Sequence, residues 1–563
     1  MSKKKRPAPS TRIRKTELVR NIINVFNENV EKTFNYKQVS SLLNIKSESQ
    51  RVFVNQILYE LLEEDFLVEI SRGMFKLNSR GGYITGTIER QGVKTYLIPD
   101  DGGEMVFIPE RKTNHALLND EVKVFLYASR RGQQPEGEVV EITKRAKDTF
   151  VGILDVSENY AFLTLDNRVM TNDIFIPKAK LKGGKTGQKA VVKLLSWEPN
   201  AKNPVGEVID ILGDKGDNTA EMHAILAEFG LPYKYPAEVE AAADTIGAGI
   251  TPEEVAKRVD MRNVTTFTVD PRDAKDFDDA LSLRKLDNGL WEVGVHIADV
   301  THYVRPNSII ESEAQERATS VYLVDRTIPM LPEHLSNGIC SLRPNEDKLT
   351  YSVIFQINDK AEVQNYKIAK TVICSDRRFA YEEAQKVIET GEGDYKEEIL
   401  TLDRLAKILR QGRFDSGAIA FDRVEVRFEI DEKGKPVSVF FKEQKDANKM
   451  IEEFMLLANK TVATHIGKPG KGKVAKTFVY RIHDVPNPDK LATFSAFIKR
   501  FGYNLKTTGK AAAVSGSINN LLDQVQGKKE QNLIETLAIR SMAKAIYSTS
   551  NMGHYGLAFD YYT

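Results

Sequence analysis

The chain has 563 residues, of which 41% are hydrophobic and 28% charged, and its formal net charge is +1. That length exceeds what one core can organise and points to about three to four domains of a soluble globular protein. No apolar run approaches the roughly 18 residues that cross a bilayer, and two isolated cysteines, Cys340 and Cys374, exclude a zinc site or a disulfide framework and fit a reducing cytoplasm.

Residues 1–15 form a basic tail, expected to be disordered. The first twenty residues hold eight Lys or Arg against Glu17 alone. Such a tail attracts phosphates by counterion release or serves only as a solvated extension. No apolar stretch follows its charges, so it is not a secretory signal. Residues 16–80 come next. Leu18, Val19, Ile22, Ile23, Val25 and Phe26 recur at helical spacing, and a second short helix is expected at 36–43. Ser47 and Gln50 have the spacing of a capping box. It would open a third helix that buries Phe53, Ile57, Leu58, Leu61 and Leu62. Runs at 66–70 and 74–77, split by a turn at 71–73, make a hairpin. Three helices and a hairpin spell a winged helix, a module that binds nucleic acid or protein.

Residues 81–215 contain an internal repeat. Gly86 is followed by Tyr96 and Asp100; Gly152 is followed at the same offsets by Phe162 and Asp166. Each copy then reaches an apolar run ending in proline, at 106–109 and 174–177. The intervening segments are short, β-prone and rich in turns, so two tandem OB-type barrels are expected, at 81–146 and 147–215. Aromatic residues on an exposed barrel face hold single strands by stacking. Tyr96, Phe107, Phe162 and Phe175 are the candidates; each is equally well read as a core residue, and for Phe107 and Phe175, inside apolar runs, the core is the better reading.

Residues 216–260 are expected to be a helical linker. From 261 to 563 the pattern is mixed α and β, with a strand at 349–357 and helices at 381–390, 397–410 and 447–466. Near the start of this part, residues 270–279 hold five aspartates in ten positions. Carboxylates this dense repel one another and need cations. A calcium loop starting at Asp276 would require glycine and glutamate where Leu281 and Asp287 stand. On spacing alone, a divalent-metal site and a solvated acidic loop are equally good readings. In an extended segment Asp276 and Asp278 project from one side and Asp279 from the other.

Several blocks lie in order around this stretch: Thr268-Val269-Asp270, Asp276-Phe277-Asp278-Asp279-Ala280-Leu281 and Val295-His296-Ile297-Ala298-Asp299-Val300. Ser320-Val321-Tyr322, the run at 328–342 and the Glu452-Glu453-Phe454-Met455 block follow. Together they resemble the catalytic domain of the ribonuclease II and ribonuclease R family. The resemblance implies a multidomain α+β protein: a winged helix, two cold-shock barrels and a mixed α/β RNB catalytic domain. It implies Mg²⁺-dependent 3′-to-5′ hydrolysis of RNA to nucleoside 5′-monophosphates. Asp270, Asp276, Asp278 and Asp279 would hold one or two ions and the attacking water, with Asp278 serving the water. Asp273 would be a surface residue. Tyr322 would clamp the terminal nucleotide, Tyr381 would set the length of the limit product, and Phe428 would be the opposing clamp. His296 is left as a hydrogen-bonded core residue.

The same resemblance implies a cytoplasmic monomer acting on single-stranded RNA 3′ ends, structured RNA or the ribosome. In the family, the strand at the chain's end continues into an arginine-bearing block and an S1-type barrel. The resemblance therefore implies an incomplete catalytic domain here. The alternative function is a non-catalytic RNA-binding protein built on the winged helix and barrels.

Overall fold

Two units make up the chain, Met1–Tyr233 and Lys234–Thr563. The computed structural model describes residues 15–29, 32–63, 66–78, 83–127, 134–167, 170, 172–420, 425–431, 435–470 and 474–563. Of the expected basic tail, all but Lys15 lies outside the described residues.

In the first unit, helices Lys15–Asn27, Tyr36–Leu42 and Glu48–Glu63 precede a hairpin of Leu67–Ser71 and Met74–Leu77. Leu18, Ile22 and Phe26, then Val39, then Val54, Ile57, Leu58 and Leu61 close one core with Phe66, Phe75 and Leu77. Each helix thus buries one stripe, as the apolar spacing predicts. The capping box forms one helix earlier than expected. Asn35 Oδ1 accepts from Gln38 N–H, and Gln38 Oε1 accepts from Asn35 N–H. Ser47 instead shares a hydrogen bond with the nearby Ser49 hydroxyl, a local competitor for its oxygen.

Two five-stranded barrels follow. The first consists of Tyr83–Gln91, Lys94–Pro99, Val106–Ile108, Glu121–Leu126 and Gly137–Lys144, its end strands joined by a bridge between Phe107 and Glu136. The second consists of Thr149–Val156, Tyr160–Leu165, Ile174–Pro177, Gln188–Ser196 and Val205–Asp214, and it closes fully. The sequence repeat has a steric cause. A Cβ on Gly86 would lie 2.1 Å from the Ile98 carbonyl oxygen, and one on Gly152 would lie 2.2 Å from that of Thr164. Each first strand therefore needs glycine where the second strand runs closest to it. The matched positions also bond alike: Phe107 N–H donates to Pro135 O and Phe175 N–H to Pro204 O, both at 2.8 Å.

The core assignment of Phe107 and Phe175 is corrected. Strand alternation turns Val106, Ile108, Ile174 and Ile176 inward. Phe107 and Phe175 therefore lie on the outer side, half-buried, with ring centres 5.8 Å from Tyr96 and 5.7 Å from Phe162. The 216–260 segment is likewise not a single linker. Helix Asn218–Glu228 packs Ala224 and Ala227 on Val151 and Val191 of the second barrel. Helix Ala237–Asp244 puts Val239 and Ala243 into a core of the second unit.

The second unit is built on a seven-stranded sheet. Its spatial order is Val259–Asp260, Val363–Cys374, Asp347–Ile357, Trp291–Ala298, Asp279–Lys285, Thr266–Asp270, Arg377–Ala380. Only the two outermost pairings are parallel. One face, with Phe267, Val269, Leu281, Leu283, Val293 and Phe355, packs on helices Tyr381–Thr390, Lys396–Asp415 and Asp446–Gly467. The other face, with Ala280, Ala298, Ile354 and Ile373, is covered by Leu335, Ile339 and Leu342. Both faces of the central strands are thus covered, and the second face also buries a polar set, Ser282, His296, Thr350, Ser352 and Thr371, whose side chains bond one another. Helices Pro488–Ile498, Ala511–Val525 and Gln531–Ser541 form a further core with Ile419 and Tyr503.

Candidate active site

Strand Thr266–Asp270 is buried along its whole length, so the carboxylate at its end has lost most of its water. Asp270 is 8% exposed, and its Oδ2 is buried without a hydrogen-bond partner. Burial pushes its pKa up to about 7, opposed by the nearby Thr268 hydroxyl and the Arg378 charge and helped by the charges of Asp279 and Asp276. Asp279 opens the neighbouring strand, and burial together with Asp278 raises it to about 6. Asp278 touches solvent, yet the protein around it and the Asp276 charge also push it up to about 6. The loop thus brings Asp270, Asp276, Asp278 and Asp279 into one electrostatic neighbourhood and leaves Asp273 exposed. Among the described residues, no three His, Cys, Asp or Glu side chains stand close enough to hold a metal ion by themselves.

The loop is tied down through its backbone. Ala298 N–H donates to Asp278 O at 3.0 Å, and Leu342 N–H donates to Phe277 O at 2.8 Å. Ser341 Oγ accepts from Phe277 N–H at 3.0 Å and donates to Lys275 O at 2.8 Å. Arg378, on the parallel edge strand, donates to the carbonyls of Pro271 and Arg272 and lies 5.4 Å from the Phe277 ring centre. Neither Ser341 nor Arg378 stands out in the sequence as a functional residue. Ser341 has one signal, its place at the end of the 328–342 run that accompanies the aspartates, and Arg378 has none.

Tyr322 joins the site: its hydroxyl donates to Asp276 Oδ2 at 3.4 Å while the residue stays 66% exposed. Tyr381 is half-buried against the helical core, and burial plus the Asp279 and Asp270 charges raise its pKa. Lys442 Nζ lies 5.5 Å from its ring centre. Phe428 stands apart on the hairpin of Glu425–Ile430 and Pro436–Lys442, 41% exposed. His296 is fully buried between the hydroxyls of Ser352 and Ser282, at 2.7 and 2.8 Å. Burial lowers its pKa to about 3, so the ring is neutral.

A carboxylate-bearing sheet preceded by two small barrels is the make-up of a nucleic-acid hydrolase. The RNB domain model matches residues 258–563, the cold shock domain model 162–236 and the ribonuclease B OB domain model 95–142. The chain belongs to the ribonuclease R family of RNB-domain 3′-to-5′ exoribonucleases. It is 35% identical to ribonuclease R of Thermotoga maritima over 94% of this chain and 74% of that one. It is 33% identical to ribonuclease R 1 of Lactococcus lactis, over 93% and 64% of the two chains. The fold is that of Mycoplasma genitalium RNase R, solved in complex with ribose-methylated single-stranded RNA. The TM-score is 0.76 at 23% identity, over 85% of this chain and 76% of that one.

Proposed function

We propose that this chain removes nucleotides from RNA 3′ ends at the loop between Asp270 and Asp279, with Mg²⁺ as cofactor. One observation supports this above the others: a buried carboxylate oxygen of Asp270 without a partner, amid carboxylates that raise one another's pKa. Hard oxygen donors suit Mg²⁺, which keeps several waters and takes substrate phosphate oxygens as further ligands, so a protein shell of three converging side chains is not required. Asp270, Asp276 and Asp279 would hold one or two ions. A bound ion would supply a hydroxide at neutral pH and neutralise charge on the phosphate.

The residues divide the remaining work. Asp278, at the solvent edge, orients the attacking water. Tyr322, tied to Asp276, stacks the terminal base and sets the scissile phosphate over the carboxylates. Tyr381 and Phe428 hold the preceding bases, so that Tyr381 sets the limit product. Water adds to phosphorus and the bond to the 3′ oxygen breaks. A nucleoside 5′-monophosphate leaves, and the shortened RNA keeps a 3′ hydroxyl. Outer-face aromatics of the second barrel, Tyr160, Phe162 and Phe175, with ring centres 5.6 to 5.8 Å apart, form a stacking platform for the strand. The same reading makes the protein a cytoplasmic monomer that takes single-stranded 3′ ends, including those of structured or ribosome-bound RNA.

Labelled RNA tests it. RNA labelled at its 5′ end and incubated with Mg²⁺ should shorten progressively and release mononucleotides, and EDTA should stop the reaction. Internal cuts, or equal activity in EDTA, would falsify the reading. RNA binding without any nucleotide release would select the non-catalytic alternative.

A further inference from the structure

We infer that the buried hydroxyl of Ser341 is a positioning residue for the carboxylate loop, fixing where Asp276 and its neighbours stand. The inference rests on the exonuclease reading of that loop. Ser341 is 0% exposed. Its Oγ bonds the carbonyl of Lys275 and the N–H of Phe277, the two groups that flank Asp276. One atom thus brackets the backbone of a site carboxylate from both sides. A hydroxyl can do this because it donates and accepts at the same oxygen; alanine does neither. The next residue continues the tie, since Leu342 N–H holds the Phe277 carbonyl. Backbone groups that a surface loop would give to water are here given to the core.

The bracket has a rigid mount. Ser341 follows a π-helical turn, His334–Ile339, a wide turn of the kind that gathers at functional sites. Leu335, Ile339, Cys340 and Leu342 lock that turn into the core under the sheet. Lys348 Nζ, almost wholly buried, donates to the carbonyls of Gly338 and Ile339 at 3.0 and 3.2 Å. These carbonyls lie at the turn's end, where the helical ladder would leave them open. The route therefore runs from Lys348 through the turn to Ser341 and on to the backbone around Asp276. Ser341 touches no reacting atom and acts only through the loop.

The test uses full-length Ser341→Ala, Ser341→Cys and Asp278→Asn beside the parent. Five quantities are measured: thermal midpoint, affinity for RNA in EDTA, kcat and KM with Mg²⁺, and Mn²⁺ affinity by electron paramagnetic resonance. For Ser341→Ala, kcat and Mn²⁺ affinity should each fall about 10- to 100-fold, the usual cost of removing a group that orients a site from behind. RNA affinity, KM and the thermal midpoint should stay near the parent's. Ser341→Cys keeps the space but offers a weaker donor and should fall between; it decides by the same readouts if the alanine variant does not fold. Parent-like kcat and Mn²⁺ affinity in Ser341→Ala overturn the inference. So does a fall in kcat that comes together with lost RNA affinity and a lowered midpoint, since that marks a merely structural serine. Undiminished turnover in Asp278→Asn overturns the exonuclease reading beneath it, whatever the serine variants do.

Discussion

The second barrel and the seven-stranded sheet are both β structure, and they present their useful residues in opposite ways. A barrel strand has one dry face and one wet one, so Phe162 and Phe175 stand on the outer face while Leu163, Ile174 and Ile176 fill the inside. A sheet strand such as Thr266–Asp270 is buried throughout. What it offers lies at its end, where Asp270 meets the loop. Flat aromatic faces suit holding a strand of any sequence. Strand ends inside a packed body suit chemistry, because burial there shifts proton affinities and fixes geometry. Binding should therefore map to the barrel and turnover to the sheet.

The sharpest division should come from Asp278→Asn. Turnover on labelled RNA should fall at least about 10³-fold, because several kcal/mol of charge stabilisation depend on an aligned water and ion. Affinity for the same RNA by filter binding should be unchanged. Tyr322→Ala comes next: losing its stack and its tie to Asp276 should slow single-turnover cleavage about 10-fold or more and leave binding of long RNA nearly intact. Phe162→Ala combined with Phe175→Ala should do the reverse. Stacking contributes about 1–3 kcal/mol per base, so RNA affinity should drop while the rate at saturating RNA holds. If that pair slows the chemistry and spares affinity, the division between barrel and sheet is wrong.

Two smaller effects concern stability. In Gly152→Ala the new Cβ meets backbone rather than a movable side chain. The second barrel should lose about 1–3 kcal/mol, read as a lowered midpoint in denaturant, and Gly86→Ala should do the same to the first. The sheet has its own test in His296. Its folded pKa, about 3, lies below the ordinary value of 6.5, so below pH 6.5 the unfolded chain takes up a proton that the folded one refuses. The stabilising effect of the neutral ring is complete above pH 6.5 and is lost as pH falls toward 3. The slope is at most about 1.4 kcal/mol per pH unit. His296→Gln should flatten that part of the acid unfolding curve, and an unchanged slope would show that other groups set it.

Much of this was legible in the sequence where a side chain's own chemistry leaves a pattern. The repeat was readable because Gly86 and Gly152 answer the same steric demand at the same offset. The aspartates drew notice as five carboxylates in ten positions, but spacing alone left a metal site and a solvated acidic loop equal, and only the blocks around them, through the family resemblance, favoured the site. Phe107 and Phe175 were misplaced because an apolar run does not say which of its alternating residues faces inward. The linker was drawn as one piece because composition marks a helix but not the neighbour that takes its apolar face. Ser341 and Arg378 escaped notice for another reason. They act by bonding backbone groups of a distant segment, and every residue has the same backbone.

The pairing of strand Thr266–Asp270 with Arg377–Ala380 also sets a timetable. Thr266 N–H bonds Asp376, 110 residues further along the chain, and the carbonyls of Pro271 and Arg272 wait for Arg378. On a ribosome adding about 5–20 residues per second, that partner arrives roughly 5 to 20 s after the aspartates do. Both barrels are local folds, complete by Asp214, and can close well before then. A growing chain can therefore close both barrels first and complete the frame of its carboxylate loop only later.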